Sequence, residues 1–191
     1  MSIIIDALPS AYEYDGRVYD MQTDFREWMK FELLLTDTDI PINDKSRRLL
    51  ELVFPQIPPD ENLWDFILWF YQCGKEGARA SKKAKSKKQT AIYSFEYDDG
   101  YIYAAFREIY NINLITVPYL HWWEFKSMFR ALHDCKIVDI MGYRSEEISR
   151  DTPEYHKKFL TEMKRVYALP KSLTEQQKLA ELKKIRESLN L

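Results

Sequence analysis

Glu32 is the residue whose type and surroundings come closest to suggesting chemistry. On the helix predicted for residues 24–35 it falls between Trp28 and Leu35, in the middle of an apolar arc. A carboxylate buried there is costly unless it meets a cation or backbone donors, and it is otherwise protonated. The pattern allows an acid–base group, or a structural charge in an ion pair or at a solvent-facing helix edge. Structural ion pairs perturb the pKa of a carboxyl group more often than active sites do. We therefore interpret Glu32 as a structural buried charge.

A metal site would need His121, His133 and Cys135 to converge. The two histidines lie more than three turns apart on what looks like one helix, so that helix alone cannot bring them to one ion. Cys135 and the other cysteine, Cys73, lack CxxC spacing, which favours free thiols in a reducing compartment. We therefore expect unliganded side chains near a core, with no metal and no cofactor. The chain also lacks a phosphate-binding glycine loop, a GxSxG elbow and an HExxH motif. No residue is therefore a clear catalytic candidate, and we expect that the protein is not an enzyme.

A basic run at 75–88 is the candidate for nucleic-acid binding. It carries seven Lys or Arg and one Glu, a local charge of +6, while the whole chain has a net charge of −2. Lysines in such a run can contact phosphates with salt-dependent affinity, but a charge run is more often a solvated loop. We favour the loop and keep nucleic-acid binding as the alternative function. Its candidate residues are Lys82, Lys83, Lys85, Lys87 and Lys88.

Trp123 is the candidate for contact with a partner protein. On the helix predicted for 118–132, the residues Trp122, Phe125 and Phe129 share one apolar arc, and Trp123 points away from it, towards Lys126 and Arg130. An exposed tryptophan beside cations is typical of an interface anchor. The alternative is a helix buried on two sides, and the sequence leaves both open.

The elements that position these residues are mainly helical. Residues 12–20 alternate around Asp15-Gly16, a pair typical of a two-residue hairpin turn. Helical periodicity and capping residues follow. They predict helices at 24–35, 44–53, 60–74, 98–110, 118–132, 134–141, 153–169 and 174–189. The predicted fold is mainly α, a helical domain with a small N-terminal β-hairpin. We divide the chain into the hairpin (1–22), a helical core domain with a basic loop at 75–90 (23–150), and a C-terminal helical extension (151–191).

Two predicted helices near the C-terminus have apolar residues at helical spacing. Tyr155, Phe159, Met163 and Val166 repeat along one face of the first. The last helix is highly charged and has only a thin apolar stripe. Such a helix can dock on its own domain or serve self-association or a partner, and we favour docking.

Bulk composition sets the remaining limits. Hydrophobic residues make up 46% of the 191 residues, enough for a real core. No segment approaches the roughly 20 apolar residues needed to span a bilayer, and we expect a cytoplasmic protein.

Three segments resemble a family of bacteriophage proteins from Gram-positive hosts, the phage gene-product-fifteen family. They are the hairpin followed by TDFREWMKFELLL (23–35), then FEYDDGYIYAAFREIYNINL (95–114), and YLHWWEFKSMFRAL with IMGYR (119–132 and 140–144). Together they span most of residues 10–150. The resemblance covers neither the basic run nor the chain beyond about residue 150.

The resemblance implies a non-enzymatic tail assembly chaperone of the host cytoplasm that is absent from the finished virion. Its expected partners are the tape measure protein, which it keeps soluble, and the tail tube protein, which polymerises around it. The resemblance leaves a homo-oligomer open, and it supplies no catalytic residue.

Overall fold

The computed structural model describes residues 3–75, 91–170 and 173–189. These residues form one β-hairpin followed by eight helices, which confirms the mainly α fold. The elements are β1 (Ala11–Tyr14), β2 (Arg17–Asp20), α1 (Phe25–Thr36), α2 (Ile42–Val53), α3 (Leu63–Tyr71), α4 (Asp99–Tyr110), α5 (Trp122–Arg130), α6 (Lys136–Ser145), α7 (Glu154–Val166) and α8 (Glu175–Leu189). Within the described ranges no helix is long and apolar enough to cross a membrane.

The hairpin pairs its two strands antiparallel, with Tyr12 opposite Tyr19. Asp15 and Gly16 both have positive φ, +50° and +70°. This left-handed pair is what a type I′ turn requires, so the predicted hairpin turn is confirmed.

The chain forms two compact units, each drawn from separate stretches of sequence. Unit 1 takes its described residues from Met1–Lys85, Pro118–Met128 and Gln176–Leu191, and unit 2 from Ser86–Val117 and Phe129–Glu175. The division at residues 22 and 150 stays a prediction.

Unit 1 has an aromatic core. Trp28, Phe31 and Phe70 are fully buried, and the Trp28 and Phe70 rings lie 4.6 Å apart. Phe25 of α1 stacks on Phe125 of α5 at 5.0 Å. The core of unit 2 is more aliphatic. Its buried residues include Ile102, Phe106, Ile137, Ile140 and Leu160.

Helix α5 begins later than the sequence predicts, at Trp122 rather than Pro118. Thr23 and Phe25 pair with the preceding segment through backbone hydrogen bonds, Phe25 N–H to Leu120 O at 2.9 Å and Trp122 N–H to Thr23 O at 2.8 Å. This short bridge holds residues 120–121 extended, so the tertiary pairing overrides the local preference of Pro118 for a helix start.

Candidate partner-binding surface

The start of α5 is organised by His121, which occupies the N-cap position. The Nδ1 atom of His121 accepts a hydrogen bond from the backbone N–H of Trp123 at 3.1 Å. The backbone N–H of His121 donates to Glu124 Oε2 at 3.2 Å. The pattern is reciprocal, as in a capping box, but an imidazole replaces the hydroxyl and accepts from the second helical residue instead of the third. Since Nδ1 accepts, Nε2 carries the proton and donates to Pro9 O at 3.1 Å. Burial lowers the pKa of His121, against the opposing effects of the Pro9 carbonyl and the Glu124 charge.

Trp123 is buried, so it is not the exposed anchor that was one of the two alternatives for this position. Its side chain is 2% exposed, and its indole Nε1 donates to Phe70 O at 2.8 Å. The ring also lies against Trp69, with centroids 5.2 Å apart. Helix α5 is therefore buried on two sides, the second of the two alternatives that the sequence left open.

The cations grouped with Trp123 do not form one exposed patch with it. Lys126 is 3% exposed, and its Nζ lies 5.1 Å above the Trp122 ring centroid. Arg130, at the end of α5, is exposed. A patch made of these three side chains would require Trp123 to leave its buried position.

Glu32 is a buried structural charge. It is 3% exposed and forms a hydrogen-bonded ion pair with Lys178 of α8. The Tyr71 hydroxyl donates to its other oxygen at 2.7 Å. Both carboxylate oxygens are thus engaged, as a carboxylate in an apolar surrounding requires.

The residues weighed as metal ligands have separate local roles. His121 caps α5, whereas His133 is exposed and its Nδ1 lies 3.2 Å from Ala131 O. Cys135 is buried at the N-cap of α6. In the described ranges, no three His, Cys, Asp or Glu side chains are grouped as metal ligands would be. Lys82, Lys83, Lys85, Lys87 and Lys88, the nucleic-acid candidates, lie outside the described residues.

A second buried ion pair, in unit 2, was missed from the sequence. Asp98 lies at the N-cap of α4, but its side chain makes no capping bond there. Instead it pairs with Arg144 through two hydrogen bonds of 2.7 and 2.9 Å. Arg144 also donates to Tyr167 O at 2.7 Å and Ile92 O at 3.0 Å. The partners are 46 residues apart, and no local pattern announces such a pairing.

On unit 2, six exposed or half-buried rings follow one another in contact. We call this set the aromatic row. The successive ring centroids lie 5.6 to 6.4 Å apart, a spacing typical of interacting rings. In order, its members are Tyr101, Tyr167, Tyr143, Phe159, His156 and Tyr155.

The α7 end of the row is the most exposed. Tyr155 is 77% exposed and Phe159 is 46% exposed, although both are large aromatic side chains. Val166, on the same face, is also exposed, while Leu160 anchors α7 in the core of unit 2. The face with Tyr155, Phe159, Met163 and Val166 was visible in the sequence, but its periodicity is also that of a core-facing helix. Only the three-dimensional packing shows that Leu160, and not this face, is buried.

Charged side chains lie beside two members of the row. Lys136 Nζ lies 5.1 Å from the Tyr167 ring centroid, and a hydrogen bond with Tyr167 raises the pKa of Lys136. His156 Nε2 lies 2.7 Å from Glu146 Oε1. A row of rings with a polar border has the composition expected of a protein-binding surface.

The chain matches a known protein family. The model of the family described as bacteriophage Gp15 protein matches residues 4–169. Comparisons with curated proteins and with solved structures give no match. The matched range contains the hairpin, α1 to α7 and the whole aromatic row, and it ends before α8.

Proposed function

The chain belongs to the bacteriophage Gp15 protein family, and from that premise we propose that it is a non-enzymatic tail assembly chaperone. In this role it binds the phage tape measure protein in the cytoplasm of the bacterial host and keeps it soluble. It also assists the tail tube protein to assemble around the tape measure, and it leaves before the virion is complete. Family membership and the aromatic row together support this proposal.

The aromatic row carries the structural part of the proposal. A long helical client exposes apolar stripes, and a chaperone must cover them without a deep, specific cavity. Tyr155 and Phe159 offer large apolar area on a helix that Leu160 anchors in unit 2. Aromatic side chains of this kind provide most of the binding energy at many protein interfaces.

The engagement of buried ionisable groups supports a non-catalytic role. Glu32 is held by Lys178 and Tyr71, and Asp98 is held by Arg144. His121 holds the start of α5 through both ring nitrogens. Each group stabilises the fold through several partners, which is the use expected of structural charges.

Co-expression with the tape measure protein tests the proposal. We expect a soluble complex with the wild-type chain, and at least about tenfold weaker capture by a Tyr155→Ala/Phe159→Ala variant, since two interface aromatics are lost. A Val18→Ala/Ile115→Ala variant is the matched control, because these two side chains are also exposed and apolar but lie outside the row. The control should capture the tape measure protein as the wild type does.

Two outcomes would contradict the proposal. If the tape measure protein is equally soluble without the chain and no complex forms, the chaperone role fails. If the complex forms but the row variant and the control behave alike, the aromatic row is not the surface that binds. Thermal melting of each variant shows whether a loss of capture reflects a loss of folding.

A further inference from the structure

Helix α8 is attached to unit 1 by three buried side chains at helical spacing. Lys178, Leu182 and Ile185 are 4%, 2% and 0% exposed. They occupy positions i, i+4 and i+7, which fall on one face of a helix. Away from this face, Ala180 and Lys183 are exposed. The helix thus contributes one narrow stripe, and that stripe includes a cation.

The surface under α8 matches this stripe in charge. Lys178 pairs with Glu32 of α1, whose carboxylate is also bonded by Tyr71 of α3. At the other end, Arg186 Nε lies 3.0 Å from Asp65 Oδ1 of α3. Because Lys178 is near the end of α3 and Arg186 near its beginning, α8 runs antiparallel to α3. We call the surface formed by Glu32, Asp65 and Tyr71 the α8 seat.

Glu32 makes the α8 seat selective. It lies in the middle of the apolar face of α1, where a carboxylate left without a cation is strongly unfavourable. A helix that covers this position must therefore place a lysine or arginine over Glu32. It must also place aliphatic side chains one and two turns further on. This is a recognition code of the helix-in-groove type, read as positions i, i+4 and i+7.

The family match covers the α8 seat but does not cover α8 itself. Glu32, Asp65 and Tyr71 lie within the matched residues 4–169, whereas α8 lies outside them. The region shared with the family thus carries a helix-binding surface whose occupant comes from beyond that region. An intramolecular occupant of this kind competes with any helix of the same chemistry.

We propose that the α8 seat is a second binding site for a partner helix, and that α8 occupies it in cis until such a helix displaces it. The partner is an amphipathic helix with Lys or Arg at one position and aliphatic residues four and seven positions later. Its identity as a segment of the tape measure protein rests on the proposed function. The pattern of residues that the seat recognises does not depend on the proposed function.

A synthetic peptide with the sequence of residues 174–189 tests the seat directly. The full chain is made with Leu182→Asp/Ile185→Asp, which removes the aliphatic contacts of its own α8, and fluorescence anisotropy measures the peptide's affinity. We expect this variant to bind the peptide at least about tenfold more tightly than the wild type, whose seat is filled. An Ala180→Asp/Lys183→Asp chain, altered on the exposed face, is the matched control and should behave as the wild type. A peptide with Lys178→Gln should bind at least about tenfold more weakly, because it leaves Glu32 unpaired.

Each outcome bears on the inference. Equal peptide binding by the variant, the control and the wild type overturns it. If the variant melts at a lower temperature, the peptide must raise its melting temperature, and failure to do so also overturns the inference.

The client arm uses the wild-type chain in complex with the tape measure protein, followed by hydrogen exchange. Faster exchange of the α8 amides in the complex supports displacement. A complex in which α8 stays protected overturns the tape measure protein as the occupant but leaves the peptide result standing. If no complex forms, the proposed function fails, again independently of the peptide result.

Discussion

Trp122 and Trp123, the two consecutive tryptophans that begin α5, satisfy the carboxyl end of α3. Trp122 Nε1 donates to Tyr71 O at 3.3 Å, and Trp123 Nε1 donates to Phe70 O at 2.8 Å. The last carbonyls of a helix have no partners within it, so they need donors from elsewhere. Here two indoles act as donors, and the same two rings also pack in the core. Each tryptophan therefore both caps α3 and contributes to the packing of unit 1.

Gly74 is required by this arrangement. It has φ of +69°, and a Cβ there would lie 2.6 Å from Trp123 Cη2. Gly74→Ala should therefore lower the free energy of unfolding by about 2 kcal/mol, through backbone strain and displacement of the indole. Urea unfolding followed by tryptophan fluorescence measures the change. Gly142→Ala is the control: its Cβ would meet nothing within 4 Å, and in a helix interior Ala is favoured by about 0.5–1 kcal/mol. Equal stability of the two variants would contradict the role given to Gly74.

His121 gives the fold a dependence on pH. Its pKa is lowered in the folded state by burial, so below the ordinary value of 6.5 the unfolded chain binds more protons than the folded one. Protonation also removes the Nδ1 acceptor that caps α5. The stabilisation from His121 is therefore complete above about pH 6.5 and is lost as the pH falls below it.

Melting temperatures at pH 7.5 and pH 5 test this dependence. His121→Asn keeps a side-chain oxygen at the N-cap but does not titrate, so it should lose less stability than the wild type between these two pH values. His133→Asn, a change at an exposed histidine, should leave the wild-type dependence intact. Identical pH dependence in the wild type and His121→Asn would refute this role.

At the scale of elements, the sequence predicted what depends on local chemistry. The Asp15-Gly16 turn follows from neighbouring residues, and so does the start of α1, predicted near residue 24, where Asp24 accepts the Arg26 N–H at 2.9 Å. The start of α5 did not follow, because it depends on backbone pairing with residues 23–25, nearly 100 positions earlier.

Helix α6 was also mispredicted, since it continues through Gly142 to Ser145 instead of stopping at the glycine. Arg144 explains the extension. Its guanidinium binds Asp98 within the core of unit 2, and this tertiary interaction outweighs the low helix propensity of one glycine. The burial of Trp123 also depends on tertiary contacts, in this case contacts with α3. Exposure of the aromatic row likewise depends on what covers α7, which periodicity cannot reveal.

The Asp98–Arg144 pair fixes the start of α4 against the end of α6. Arg144→Met should lower the free energy of unfolding by about 3–5 kcal/mol, because a buried carboxylate loses its cation. Adding Asp98→Leu should restore part of that loss by removing the unpaired charge. Arg165→Met is the matched control, since Arg165 pairs with Glu162 at the surface, and its effect on the free energy of unfolding should be much smaller than that of Arg144→Met. Chemical denaturation measures all three, and a small effect of Arg144→Met would show that the pair contributes little.

At the scale of the whole molecule, charge is distributed unevenly along the chain. The net charge is −2, yet residues 75–88 carry +6, so the remainder carries −8. A predominantly acidic protein repels nucleic acid except through its basic segment. The two functions therefore differ in whether they require the lysines at 82–88. The nucleic-acid alternative requires them, and the chaperone proposal does not.

Replacing Lys82, Lys83, Lys85, Lys87 and Lys88 with Gln tests the two functions in one chain. Because the described contacts proposed for the client lie on the aromatic row and the α8 seat, we expect this variant to capture the tape measure protein as well as the wild type does. The nucleic-acid alternative predicts retention on immobilised DNA that falls steeply with salt and disappears in the Gln variant. Replacing the same five lysines with Arg preserves the charge and should preserve any such retention. Loss of client capture in the Gln variant, with capture kept in the Arg variant, would place the binding site in the basic segment and contradict the use of the aromatic row.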